Sequence, residues 1–292
     1  MNTTATNYVL ATDSSADLPY EFMEREGIIC VDLTLVFEGN EERYKNRDID
    51  TKTFYDKIRN GDIAKTSAVN PEEFKTAFEP ILQKGQDILY LGLDSTISTT
   101  VGSAKIAAEE LSEIYPNRNI LIVDTLCASA GIGLVIFELN ELKKTGATLS
   151  EAYNYALITC PKVSHRFTVE TLTYLKRGGR VSSASCIVGN VLNIKPVLHV
   201  DDEGHLVSIG KSHGRKKSLE ALADAYGETA SDPSSGTVFI SQADSIEDAN
   251  YLSSLLNGRY GVNVDMITDI GPVIGSHAGP GTIALFFIAK ER

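Results

Sequence analysis

The residue best suited to proton or anion chemistry stands near the C-terminus, where "DIGPVIGSHAGPG" sets His277 among glycines and prolines just before an apolar run. An imidazole gives or takes a proton near neutral pH. The other chemistry-bearing side chains are hydroxyls, gathered in four clusters: Asp13-Ser14-Ser15, Thr66-Ser67, Asp94-Ser95-Thr96-Ile97-Ser98-Thr99 and Asp124-Thr125. Each alone also reads as a helix cap or turn. Together they could converge on one anion. A carboxylate taken out of water needs two or three hydrogen-bond donors, which hydroxyls and backbone N–H groups supply without a fixed positive charge. A neutral cradle leaves the anion open to reaction, whereas a buried lysine would hold it in an ion pair that reaction must break. On this reading Gly275, Gly279 and Gly281 bring bare backbone against the anion, with Gly279 among its contacts, and Pro280 stiffens the turn.

The hydroxyl clusters follow apolar runs, and this decides which elements must position them. NYVLATDSS, IICVDLTLVF, DILYLGLDS and NILIVDT read as strands. NPEEFKTAFEPILQKG reads as a helix capped by Asn70, with Pro71 at its first position and a stop at Gly85. TTVGSAKIAAEELSEIY carries Ala104, Ala107, Ala108, Leu111 and Ile114 at helical spacing. Alternating strands and helices predict α/β layers around a mainly parallel sheet, in which ligands bind beyond the carboxyl ends of the strands. After a helix in LSEAYNYALITC the chain crosses at PKVSHRFTVE into a second unit. That unit reads as a hairpin in KPVLHV-DDEG-HLVSIGK, helices in RKKSLEALADAYGETA and SIEDANYLSSLLNGRYG, and further strands.

Bulk properties exclude several function classes. A chain of 292 residues, 42% hydrophobic, is long enough for one large or two ordinary cores. Its net charge of −12 argues against a nucleic-acid partner. The opening MNTTATNYVL has neither a basic nor a long apolar segment, and no run approaches the ~18 apolar residues of a membrane span, so a cytoplasmic location is expected. Cys30, Cys127, Cys160 and Cys186 form no CxxC and read as reduced, buried thiols. The five histidines form no HxxxH or HExxH pair, so no metal is expected, and His199, His205 and His213 read as polar residues of a β-ribbon. GHLVSIGKS misses the P-loop in spacing and context; Gly131 and Gly133 lack the third glycine of a dinucleotide fingerprint; GSHAG has no nucleophile at the centre of its elbow outline.

ATDSSADLP, KTSAVNPEEF, DSTISTTVGSA, ETLTYLKRGGRVS with NIKPVLHVDDEG, GRKKSL and GPVIGSHAGPG, in this order over nearly the whole chain, resemble the DegV family. The resemblance implies two α/β domains, an N-terminal three-layer α/β/α unit with a parallel sheet (1–162) and a C-terminal α/β unit with a mixed sheet (163–292), and a long-chain fatty acid held between them. It implies the role of the FakB-type subunit of bacterial fatty acid kinase. There the DegV-like protein carries the acyl chain while a separate ATP-dependent subunit, FakA, makes acyl phosphate for phospholipid synthesis. Such a carrier is not catalytic alone, needs no cofactor and no nucleotide motif, and meets membranes only transiently, for lipid exchange.

Carried over, the family's Thr-Ser pair falls on Thr66 and Ser67, the serine of its LSGT segment on Ser98, and the histidine of its GxHxGPG loop on His277. Thr99 stands where that pattern has glycine, and Ala68-Val69-Asn70 replaces Gln-Pro-Ser; both departures bear on loop shape and acyl preference. Arg180, with Lys176 and Arg177 beside it, falls in the family's KxGGR motif and implies kinase docking. An acyl tail of about 15 methylenes would contribute a gross ~12 kcal/mol before ordering costs, more than the head group. The alternative is a self-contained serine hydrolase or acyltransferase using Ser98 and His277, with Asp94 or Asp124 as the orienting carboxylate.

Overall fold

A computed structural model describes residues 7–181 and 193–292; Cys186 and Ser182 of the GGRVS run lie outside the described residues. Strand β1 (Tyr8–Asp13) is buried along its length, as a central parallel strand covered on both faces must be. It pairs in parallel with β2 (Ile29–Val31) and β6 (Asp87–Gly92), and β6 pairs with β7 (Ile120–Asp124), giving the order β2-β1-β6-β7. Helices α3 (Pro71–Gln83) and α4 (Thr100–Ile114) pack together against this sheet, and α5 (Ala130–Lys144) with α6 (Leu149–Thr159) forms the other layer. Asn70 starts α3 through a capping box with Glu73, with Pro71 at the first position.

The run IICVDLTLVF divides instead of forming one strand. After β2 the chain turns at Asp32-Leu33 and continues as β3 (Thr34–Phe37), antiparallel to β4 (Arg43–Lys45) and β5 (Ala64–Ser67) in a separate three-stranded sheet. The break is fixed from a distance. Ser14 Oγ accepts from Leu33 N (3.0 Å), while Tyr20 and Arg47 hold the Asp32 carboxylate (2.9 and 2.7 Å). Helices α1 (Tyr20–Glu26) and α2 (Thr51–Arg59) flank this region.

From Val163 onward the chain builds a six-stranded mixed sheet in the order β10-β9-β8-β13-β11-β12. Its members are β8 (Val163–Thr168), β9 (Ile194–Val200), β10 (Leu206–His213), β11 (Val238–Gln242), β12 (Met266–Asp269) and β13 (Ile283–Ile288). Only β11 and β12 run parallel. Helices α8 (Arg215–Thr229) and α9 (Ile246–Tyr260) cover one face with a small core of their own, including Leu222, Tyr226, Leu252 and Phe287. The larger core is continuous across both units because α5 packs on β11 and β13 as well as on the parallel sheet. Gly131 and Gly133 make this approach possible: a Cβ would lie 2.3 Å from His165 Nε2 at the first and 3.0 Å from Ala16 O at the second. These two glycines serve packing, as the missing third glycine implies.

Two short helices complete the chain, α7 (Thr173–Arg177) and α10 (Pro272–Ala278). The stretch GPVIGSHAGPG is thus a helix bounded by Gly271 and Gly279, not an open glycine-rich turn. The N-terminal unit grips the start of α10. Asn46 Oδ1 accepts from Val273 N (2.9 Å), Tyr55 donates to Ile270 O (2.7 Å), and Asp17 accepts from Gly271 N (2.9 Å) and Ser129 Oγ (2.5 Å). Burial, with the charges of Asp269 and Asp13 nearby, pushes the Asp17 carboxyl up to about 7. A carboxyl raised by folding contributes stability that is complete below its unfolded value and lost as pH rises through the folded one. Asp17→Asn keeps an acceptor toward Gly271 and gains a donor toward Ser129. It is therefore expected to unfold at a higher temperature than the wild type at pH 8 and to lose that advantage by pH 5; parallel pH profiles of the two proteins would refute this.

Candidate functional site

Between the two units lies a cavity of about 550 Å³. Its walls are largely apolar, with Leu33 and Leu93 from the first unit and Phe167, Leu175, Leu206 and Phe286 from the second. Polar side chains gather at one end. Thr66 projects from β5, Ser98 from the loop between β6 and α4, His277 from the last turn of α10, and Arg180 from the turn after α7. Thr66 Oγ1 lies 2.8 Å from His277 Nε2, so the bond ties the small antiparallel sheet to α10. Arg180 donates through Nε to Ile97 O (3.1 Å) and through Nη1 to Gly178 O, which brings its guanidinium beside the Ser98 loop. Ser98 Oγ lies 2.9 Å from Thr100 Oγ1 and accepts from Thr100 N (3.3 Å).

The positions expected from the sequence divide in this frame. Ser67 does not line the cavity, because successive side chains of a strand leave opposite faces and Thr66 takes the inner one. Gly279 does not line it either: its N–H donates to Gly275 O (2.8 Å) and its Cα lies against Tyr174. Gly275 is bare for packing, since a Cβ would lie 2.4 Å from Tyr55 Oη, whereas Gly281 sits at φ +79°, where a side chain is strained. The glycines around His277 therefore seat a helix and its exit turn, while His277 faces the cavity beside Val273, Ile274 and Ala278. Lys176 and Arg177 are exposed, whereas Arg180 turns inward. Of the divergent residues, Ala68 and Thr99 line the cavity, Val69 is buried, and Asn70 caps α3.

Two of the four hydroxyl clusters face the cavity and two support the fold. The Asp13 carboxylate receives Ser15 N (3.0 Å), Tyr90 Oη (2.6 Å) and Leu93 N (3.1 Å) inside the core. Asp124 accepts from Ser95 N (3.2 Å), and Thr125 donates to Gly92 O (2.8 Å). Thr96 anchors the Ser98 loop at both ends, with its N–H donating to Asp94 Oδ1 (2.8 Å) and its hydroxyl to Gly204 O (3.1 Å) in the β9–β10 turn.

His165 also lines the cavity, although residue type alone assigns it no role. It is buried edge-on to Phe286 at 5.2 Å, and its Nε2 accepts from Ala128 N (3.1 Å), which puts the proton on Nδ1 toward Val163 O (3.0 Å). Burial, then the Arg292 charge, holds its pKa down at about 3, so it is a neutral wall residue. Its period-two spacing from Phe167 in VSHRFT was the available signal. His277 is held down at about 4, by burial first and by Arg180 second. Among the described residues no hydrolytic triad forms: Ser98 bonds Thr100 rather than His277, and His277 Nδ1 has no partner to orient it. Among the described residues, no group of three or more His, Cys, Asp or Glu is placed to hold a metal ion, and no helix is long and apolar enough to cross a membrane.

Comparison with known proteins supplies the deciding observation. The family model described as "Uncharacterised protein, DegV family" matches residues 8–290. The chain belongs to the DegV family. A DegV domain-containing protein of Clostridium perfringens is 41% identical over 98% of each chain. Among solved structures, a DegV lipid-binding protein of Thermotoga maritima is similar at a TM-score of 0.86 and 31% identity, covering 98% of this chain and 99% of that one. A DegV family protein of Thermus thermophilus, described by its fatty acid binding, is similar at a TM-score of 0.87 and 30% identity, covering 97% and 99%. The two-unit α/β architecture is the DegV fold.

The depressed His277 has a consequence for stability. A histidine whose pKa falls on folding contributes stability present above its unfolded value, about 6.5, and lost as pH falls toward the folded one. The unfolding midpoint of His277→Gln is therefore expected to fall less steeply than that of the wild type between pH 6.5 and 4. Equal slopes would contradict the assignment of a buried, neutral imidazole.

Proposed function

We propose that this protein binds a long-chain fatty acid between its two units, which divide at residues 162/163, and presents the carboxylate to a separate ATP-dependent kinase subunit of the FakA type for acyl phosphate formation. The carrying observation is the Thr66–His277 pair at the polar end of an apolar interdomain cavity. The cavity's volume lies within the range of about 300–1,000 Å³ usual for small-molecule pockets. The acyl tail lies along the Leu and Phe walls toward His165 and Phe286, and the carboxylate meets the hydroxyls of Thr66 and Ser98, with His277 bonded to Thr66 beside it. The likeness to lipid-binding and fatty-acid-binding DegV structures at 30–31% identity supports the ligand class. The absence of a Ser98–His277 bond favours a carrier over a hydrolase, because an unactivated serine is a weak nucleophile.

The inward turn of Arg180 refines the docking role read from KxGGR. Arg180 closes the polar end and balances charge there, while Lys176 and Arg177 form the outward cations that meet the kinase. Arg180→Ala is then expected to lower both lipid retention and acyl-phosphate production, and the double change of Lys176 and Arg177 to Ala to weaken kinase coupling alone, more so at high salt. The opposite pattern would return Arg180 to the docking surface.

Native mass spectrometry of gently purified protein, followed by extraction, is expected to find a bound fatty acid. Single alanine variants of Thr66 and Ser98 should each retain lipid ~10–100-fold less tightly, since a hydrogen bond to a charged group contributes about 1.5–3 kcal/mol while the tail stays buried. Finding no lipid and no uptake of added fatty acid would overturn the proposal, as would acyl-phosphate formation at the wild-type rate by a variant lacking Thr66, Ser98 and His277.

A further inference from the structure

The two glycines of the KRGGR turn have different reasons to be there. Helix α7 ends in a Schellman motif, with Gly179 N donating to Lys176 O (3.1 Å) and Arg180 N to Leu175 O (3.0 Å). Gly179 sits at φ +71°, where side chains are strained. Gly178 sits at φ −73°, ψ −12°, an ordinary right-handed conformation that alanine adopts without strain. Its backbone gives no reason for a glycine. Its surroundings do, because a Cβ at 178 would lie 2.2 Å from His277 Nδ1, 3.1 Å from Cε1 and 3.3 Å from Cγ. The edge of the imidazole rests on the bare Cα.

The same contact bears on the proton of His277. Nδ1 is buried without a hydrogen-bond partner, while Nε2 is 2.8 Å from Thr66 Oγ1. With the proton on Nδ1, a buried N–H would be left unpaired against Gly178. With the proton on Nε2, that N–H donates to Thr66 Oγ1 and only a lone pair is orphaned on Nδ1. Unpaired buried N–H groups are the rarer and costlier case. The Nε2–H tautomer also turns Thr66 from donor to acceptor toward His277, which releases the Thr66 hydroxyl proton to point into the cavity.

We propose that Gly178 is a positioning residue: its bare Cα seats the His277 imidazole as the Nε2–H tautomer, which aims the Thr66 hydroxyl proton at an anionic head group. The role of that head group as a fatty acid carboxylate rests on the function proposed above; the seating and the tautomer do not. Nitrogen-15 NMR of the full-length protein, with fatty acid affinity measured alongside, tests both parts. His277 is expected to show a protonated Nε2 and an unprotonated Nδ1, and Gly178→Ala to displace its ring signals and lower fatty acid affinity by ~10-fold or more. In a His277→Ala background, adding Gly178→Ala should cause no further loss, since alanine fits that backbone once the ring is gone. A protonated Nδ1, unmoved ring signals in Gly178→Ala, or an equal loss of affinity in both backgrounds would overturn the proposal. If the wild type binds no fatty acid, the proposed function fails, and the ring signals alone then decide the seating.

Discussion

The site depends on one seven-residue helix being held against the N-terminal unit. Helix α10 carries His277, and the bonds from Asp17, Asn46 and Tyr55 fix its first turn while bare Gly275 lets it sit on Tyr55 and Phe54. At its other end His277 bonds Thr66, so the helix is fastened at both ends to residues far away in sequence. A shift of this helix would separate the imidazole from the hydroxyl and alter the cavity wall formed by Val273, Ile274 and Ala278. Binding and domain docking are therefore the same packing problem.

As proposed, the polar end holds an anion without trapping it. Burial keeps His277 neutral, and Arg180, the one cation lining the cavity among the described residues, has Nε and Nη1 engaged by the carbonyls of Ile97 and Gly178. A guanidinium so tethered supplies positive potential while its freedom to form a fork with a carboxylate is reduced. Hydroxyls make the remaining polar wall. Under the proposed function, affinity comes from apolar area along the tail and the head group stays reachable by a second protein.

Much of the architecture was legible because local signals and tertiary environment agree. The buried parallel strands β1 and β6 and the half-buried β7 read as apolar runs, and α3 announced itself by Asn70-Pro71. The division of IICVDLTLVF was not legible, since it depends on Ser14 reaching Leu33 across 19 residues. Helix α10 was hidden because its glycine content, unfavourable for an isolated helix, is set by the tight seat on Tyr55. That Thr66, Ser98 and His277 face one cavity agrees with residue type and family pattern. Strand alternation could have excluded Ser67, but the inward turn of Arg180 follows from a cap geometry that sequence spacing does not encode.

As proposed, the interdomain cavity holds an acyl chain with its carboxylate at the Thr66–His277 end. A crystal structure of the protein with stearate tests it most directly. Carboxylate oxygens are expected within hydrogen-bond distance of Thr66 Oγ1 and Ser98 Oγ, with the tail running between Phe167 and Phe286 toward His165 and the His277–Thr66 bond intact. A tail lying outside the cavity, or a carboxylate buried beside His165 with the methyl end at Thr66, would contradict it.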